Sequence, residues 1–293
     1  MLLITSGIRY FFLFITMIIS MLIIFSSPLK ASCEDNFIER FEKREEVMEV
    51  HFPDVKNGEV SIIRLPKSDK VFVIDTGSPE ENKTIVDYLE EIDVNTIDAL
   101  IITNPYSNYI GGAPKIIDRF DVKKTIDSGT ALKTNYFRKY LTAATKETDF
   151  HIARRGDELY QSEIAKLEII YPEKILFNDP RENSLVLHLQ YGQINFLFTG
   201  GLGLKGEQRL NFDQNIDILK IARMGDTSGT SGMFLESIEP EVGVILGGSD
   251  NKRNLPKQEL LEKLDEKNIH IERTGQSGTI IFRTNGQKIN WNL

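Results

Sequence analysis

Few side chains in this 293-residue sequence combine the type and spacing that chemistry requires. The four histidines, His51, His151, His188 and His270, are far apart, and each falls in or beside a strand-like run. Histidines so placed read as hydrogen-bonded core or surface residues rather than as a ligand set. Residues 225–232, GDTSGTSG, have the small residues of a phosphate cradle. They lack the lysine of a P-loop and the spacing of a dinucleotide fingerprint, so a flexible loop at a site edge is expected. Ser228 and Ser231 have no neighbouring histidine or lysine to activate them as nucleophiles. That leaves residues 97–114, IDALIITNPYSNYIGGAP, an apolar run that breaks into a polar turn and reopens at Gly111-Gly112. A loop leaving a strand and entering a helix is where α/β proteins place their chemistry.

Short β-branched runs bounded by turn residues predict the strands that would hold this loop. They cover residues 50–55, 59–65, 70–74, 97–102, 122–126, 150–153, 167–171, 184–191, 194–198, 216–222 and 242–246. Runs at 269–272, 279–283 and 288–291 are expected to close the second sheet. Lys56-Asn57-Gly58 and Gly192-Gln193 have the chemistry of hairpin turns. Helices are predicted from Ser78 to about Glu91, with Ser78 as the capping hydroxyl, and over about 130–145, 231–238 and 256–267. In the second of these, Tyr136, Phe137, Tyr140 and Leu141 are spaced as core residues.

Composition sets the class and the address. With 41% hydrophobic and 27% charged residues the chain is globular, and its length can bury a core without disulfides. A net charge of −8 without a long basic run disfavours nucleic acid as a partner. Residues 1–33 stand apart: Arg9, an apolar stretch over 10–25, then small residues up to the lone Cys33. They read as a signal peptide or an N-terminal membrane anchor. Cys33 sits as in a bacterial lipoprotein signal, although Lys30 occupies a position where that motif has an aliphatic residue. Residues 34–47 read as a connector and 48–293 as the folded domain, placed outside the cytoplasm, secreted or membrane-anchored.

The frame of residues 103–112 resembles the first metal-binding segment of the metallo-β-lactamase fold, T-H-x-H-x-D-H-x-G-G. Residues 51–66, HFPDVKNGEVSIIRLP, with Ile74-Asp75-Thr76-Gly77, resemble the opening of its ComEC-type branch, with Glu59 in place of an Asp. The resemblance implies an α/β fold, an αββα sandwich of two mixed sheets face to face with helices outside. It also implies a pair of zinc or other divalent ions, yet no ligand position keeps its residue. The first segment has Asn104, Tyr106, Asn108 and Tyr109. The second, Phe198-Thr199-Gly200-Gly201, has Gly201 where the bridging carboxylate would stand. The third has Arg223 and Met224 for two imidazoles, and the fourth Leu255 for another. Asp75 and Gly77 are expected in a structural loop, the Asp75 carboxylate accepting from backbone donors. Asn183-Ser184 resembles an architectural feature at the start of a strand.

Losing the metal and its ligands together is consistent physically, because a buried carboxylate without its cation is an unpaired charge. Arg223 is the exception, a guanidinium able to pair with Asp226 or an anionic ligand, or to point to solvent. No catalytic residue, metal or cofactor is therefore assigned. The expected function is that of an inactive member of a hydrolase family acting by binding a small anionic ligand or a protein. The alternatives are a hydrolase of phosphodiesters or other esters, and an accessory of DNA uptake, with membrane contact through the N-terminal segment.

Overall fold

The computed structural model describes residues 47–212, 214–248 and 253–291. Strand β1 (Met48–Phe52) is followed by β2 (Ser61–Arg64) and β3 (Val71–Ile74). A short turn of 3-10 helix at Pro79–Glu81 leads into α1 (Asn82–Glu91), then β4 (Thr96–Ile97) and β5 (Ala99–Ile102). Next come α2 (Ser107–Ile110), α3 (Ala113–Arg119), β6 (Asp121–Val122), β7 (Lys124–Asp127), α4 (Asn135–Glu147) and β8 (Asp149–Ile152). The chain continues through β9 (Glu158–Gln161), β10 (Ala165–Tyr171), β11 (Val186–Tyr191), β12 (Ile194–Phe198) and α5 (Leu204–Glu207). It ends with β13 (Ile218–Lys220), α6 (Gly232–Ile238), β14 (Val242–Ile245), α7 (Gln258–Glu266), β15 (His270–Arg273), α8 (Thr274–Ser277), β16 (Ile280–Thr284) and β17 (Ile289–Trp291).

The strands form two large mixed sheets. One runs β17-β16-β1-β2-β3-β5-β7-β8, antiparallel as far as β3 and parallel from there. The other runs β15-β14-β13-β12-β11-β10-β9, parallel from β15 to β12 and antiparallel beyond. Strands β4 and β6 form a separate parallel pair. Period-2 alternation explains why the sheets stack. Phe72, Ile74, Ala99 and Ile101 of the first sheet and Leu187, Leu189, Phe196 and Phe198 of the second share one core. Their alternates face outwards: Val71, Val73, Leu100 and Ile102 meet Ile85 and Leu89 of α1 and Phe137 and Tyr140 of α4. On the opposite side Leu197, Leu219 and Ile245 meet Leu235 of α6 and Leu260 and Leu264 of α7.

The structure corrects several expectations. β16 and β17 extend the first sheet rather than closing the second, because β16 pairs antiparallel with the whole of β1. β1 lies at Met48–Phe52, not 50–55, and residues 53–60 form a long connection instead of a tight turn at Lys56-Asn57-Gly58. Residues 97–102 split at Asp98, whose carboxylate accepts from Val71 N (2.9 Å) and Lys70 Nζ (2.5 Å). Ser78 does not cap with its hydroxyl; Glu81 N donates instead to its carbonyl (3.0 Å). α4 starts late, at Asn135, where Thr134 Oγ1 accepts from Phe137 N (3.2 Å). Its Phe137 and Tyr140 are buried as expected, while Tyr136 is 46% exposed. β9 is an additional strand whose alternation is masked by charged residues. The N-terminal leader, with Cys33, and nearly all of the 34–47 connector lie outside the described residues. Among those described, no helix is long and apolar enough to cross a membrane.

Phe282 of β16 stands edge-on to Phe52 (5.9 Å between ring centres) and Phe196 (6.0 Å), joining strands of both sheets. Phe282→Ala is expected to cost about 3–5 kcal/mol, measured as a lowered midpoint of urea unfolding. A loss below about 1 kcal/mol would mean that the sheets do not lean on this cluster.

Candidate functional site

Three loops meet where the resemblance puts a site. Residues 75–78 are the hub. Asp75 N donates to Ile101 O (2.8 Å), Thr76 N to Tyr109 O (2.6 Å), and Gly77 N to Glu59 O (2.9 Å). Glu59 N in turn donates to Asn108 O (3.1 Å) and Gly111 N to Gly77 O (2.9 Å). The fit leaves no room at Gly111, where a Cβ would stand 2.3 Å from Pro79 N. Asp75 and Gly77 both adopt left-handed backbone, at φ 59° and 65°. The buried Asp75 carboxylate accepts from Thr103 N (2.8 Å) and Thr103 Oγ1 (2.7 Å). Burial pushes it up to about 8 despite those bonds. Ser184 ties in the second segment: its Oγ donates to Thr103 O (3.1 Å) and accepts from Gly201 N (2.9 Å).

Beneath these loops lies a buried ion pair between the sheets. Lys220, at the end of β13, contacts the Glu59 carboxylate; the two are 3% and 1% exposed. Lys220 Nζ also donates to Gly200 O (3.1 Å), and Glu59 Oε1 accepts from Met224 N (2.9 Å). One pair thereby fixes the second and third segments. Burial drives the lysine amine well below its ordinary range. The adjacent carboxylate opposes that shift and is what can hold the ammonium in place.

The expected site residues fall into two groups. Asn104, Tyr106, Tyr109, Gly201 and Arg223 are brought together. A Cβ on Gly201 would lie 2.9 Å from Tyr109 Oη and 3.1 Å from Asn104 Nδ2. Asn104 Nδ2 donates to Pro180 O (3.3 Å), and Asn108 takes part through its backbone carbonyl, which accepts from Glu59 N. Burial raises the Tyr109 phenol far above its ordinary range, so it stays protonated. Tyr106 lies under the Arg181 guanidinium (5.3 Å to the ring centre), which Asp179 holds by two nitrogens. Arg223 and Met224 both take left-handed backbone at φ 57°, with Arg223 N donating to Gly200 O (3.3 Å). Met224 and Leu255 serve differently, as buried apolar neighbours, with Met224 Sδ near Gly247.

Arg223 does not point to solvent, being 7% exposed, nor does it pair with Asp226. Asp226 is taken by Arg253 (3.4 Å) and by Ser228 N (3.0 Å) and Oγ. Arg223 Nη1 instead donates to Ser228 O (3.0 Å). The residues over Gly201 do not fit a divalent pair. A neutral phenol and an amide offer no anionic donor, and Tyr109 occupies the space a side chain at position 201 would need. Among the described residues no three His, Cys, Asp or Glu side chains are placed to hold a metal ion. The histidines stay apart: His51 on Tyr88 (2.7 Å) and Glu49, His188 on Asn195 (3.0 Å), His151 on Asp149 (2.7 Å), His270 on Glu272 (3.0 Å). Ser231 caps α6, its Oγ accepting from Phe234 N (3.2 Å).

Sequence reasoning missed Lys220, Arg181 and Arg253. A lysine inside the apolar run of residues 216–222 was the available signal for the first, since such a residue is buried only when paired. Nothing local marks the other two, whose roles depend on loop contacts.

A family described as "Metallo-beta-lactamase superfamily" matches residues 54–249. ComE operon protein 3 of Bacillus subtilis is 28% identical over 256 residues, covering 77% of this chain and 33% of that protein. Competence protein ComA of Neisseria gonorrhoeae is 24% identical over 222 residues, covering 73% of this chain and 29% of that one. The chain thus spans about a third of the length of these relatives. Among solved structures, a CmlA beta-hydroxylase mutant superposes with a TM-score of 0.55 at 13% identity, over 89% of this chain and 61% of its own. At that identity the likeness is one of fold.

Two outcomes follow from the buried charges. Glu59→Gln and Lys220→Met each cost about 3–5 kcal/mol, whereas the double variant costs less than their sum, by urea unfolding. Strict additivity would mean that the pair is not coupled. Asp75 holds its proton more tightly folded than unfolded, so its contribution is complete at low pH. That contribution declines as pH rises from about 4 to about 8, by at most about 1.4 kcal/mol per unit. Asp75→Asn should flatten this part of the stability profile; parallel profiles for the two proteins would refute it.

Proposed function

This chain belongs to the metallo-beta-lactamase superfamily, in its ComEC-like branch, and from that premise we propose that it acts by binding rather than by hydrolysis. It is a pseudo-hydrolase whose occupant is a small anion or a protein. One observation carries this. The positions expected to ligate metal in all four segments are replaced together, and Tyr109 fills the space over Gly201. Without anionic donors the site has nothing with which to bind two cations and generate hydroxide. The loop hydrogen bonds around Asp75 remain, which preserves the shape of the crevice while its chemistry differs.

The apolar leader and the small residues before Cys33 support export, with the domain outside the cytoplasm, secreted or membrane-anchored. A second reading, an accessory of DNA uptake, is favoured by a relative named a competence protein. The net charge of −8 weighs against direct contact with phosphate backbones. Hydrolysis of phosphodiesters rests on family likeness alone.

Metal analysis of protein purified without chelators is expected to find far less than one zinc, iron or manganese per chain, with no turnover of phosphodiester or ester substrates. Near-stoichiometric metal whose removal abolishes a hydrolytic activity would overturn the proposal. Salt-sensitive binding of DNA in a mobility-shift assay would favour the second reading.

A further inference from the structure

On the helical layer outside the first sheet lies a groove that the crevice does not use. It runs between α3 and α4 and has a volume of about 960 Å³. Its floor is apolar, made by Ile110, Pro114, Ile117 and Ala143. The residues of α4 that line it include Tyr136, Lys139, Ala143 and Lys146, spaced by three, four and three positions, so they form one stripe. That stripe lies beside the buried face of Phe137, Tyr140 and Ala144, which packs α4 on the sheet. Tyr136 is thereby left at the rim, 46% exposed. A half-exposed tyrosine over an apolar floor is the kind of side chain that anchors protein interfaces.

Charge says what the occupant carries. Lys115, Arg138, Lys139 and Lys146 line the groove with Asp118 and Glu147, an excess of two positive charges in a chain of net charge −8. Asp118 holds Lys115 (2.9 Å), and Arg138 Nη2 donates to Asn135 Oδ1 (2.7 Å). Lys139 and Lys146 are exposed and form no ion pair among the described residues. We propose that this groove docks an acidic amphipathic helix of a partner protein. Its apolar side lies on the floor and against Tyr136, and its carboxylates face Lys139 and Lys146. The 13 residues of α4 span about 20 Å, room for three to four turns of a helix laid alongside. Apolar anchors at helical spacing then meet the floor, while carboxylates are placed clear of Asp118 and Glu147. A continuous row of phosphates would run into those two acids, and a flat lipid surface does not reach a concave floor. The inference is independent of whether the crevice binds or hydrolyses.

The test starts from the full chain and a random library of peptides about 16 residues long, displayed on phage. Enriched peptides are expected to be acid-rich with apolar residues at helical spacing, and to bind more weakly as salt is raised. Their Kd, read by fluorescence anisotropy, should rise at least about tenfold in Lys139→Glu/Lys146→Glu and about fivefold in Tyr136→Ala. The neutral pair Lys139→Gln/Lys146→Gln should fall between wild type and the charge reversal. Both lysines are exposed, so these double variants should keep the wild-type unfolding midpoint. No enrichment, enrichment of basic or unpatterned peptides, or a Kd unchanged by the charge reversal would overturn the proposal. So would self-association in sedimentation that the charge reversal abolishes, which puts a second copy in the groove. Tighter binding of a short DNA duplex or of phosphatidylglycerol vesicles than of any selected peptide, lost in the same variant, would overturn it too. Metal in the crevice would overturn the binding reading and leave this one standing.

Discussion

The site rests on one buried ion pair that joins the sheets. Glu59 sits in the connection before β2 and Lys220 at the end of β13, so their contact ties the two halves of the sandwich below the crevice. Each partner also holds backbone: Lys220 the carbonyl of Gly200, and Glu59 the amide of Met224. The left-handed turn at Arg223 and Met224 is therefore anchored from beneath, and with it the direction of the guanidinium. Two charges so enclosed are tolerated because each is met by the other and by a backbone partner.

Above that pair, space and charge act together. Tyr109 is held through its backbone by Thr76, and its hydroxyl lies against Gly201. A carboxylate at position 201 would collide with it, and a cation would meet Arg223. Asp179 and Asp226 bring negative charge to the same loops, each bound to an arginine of its own.

Much of the fold was legible because alternation was clean. Phe196, Leu197 and Phe198 announce two faces, and the inner pair meets the other sheet. Which sheet receives β16 was not legible, since Phe52 and Ile280 pair across nearly the whole domain. Asp98 cuts a strand through hydrogen bonds to Lys70 and Val71 that no local pattern announces. In the site, Gly111-Gly112 and Asp75-Thr76-Gly77 set the frame, so replacement of the ligand types could be read position by position. Side-chain direction could not. The burial of Arg223, the stack of Arg181 on Tyr106 and the commitment of Asp226 to Arg253 depend on positive-φ turns and loop contacts.

Anomalous diffraction at the zinc edge, from crystals grown with zinc in excess, tests most directly whether this crevice can hold a metal. The expected map has no ordered peak among Asn104, Tyr109, Gly201 and Arg223. A strong peak there, with protein ligands at about 2.0–2.3 Å, would contradict it.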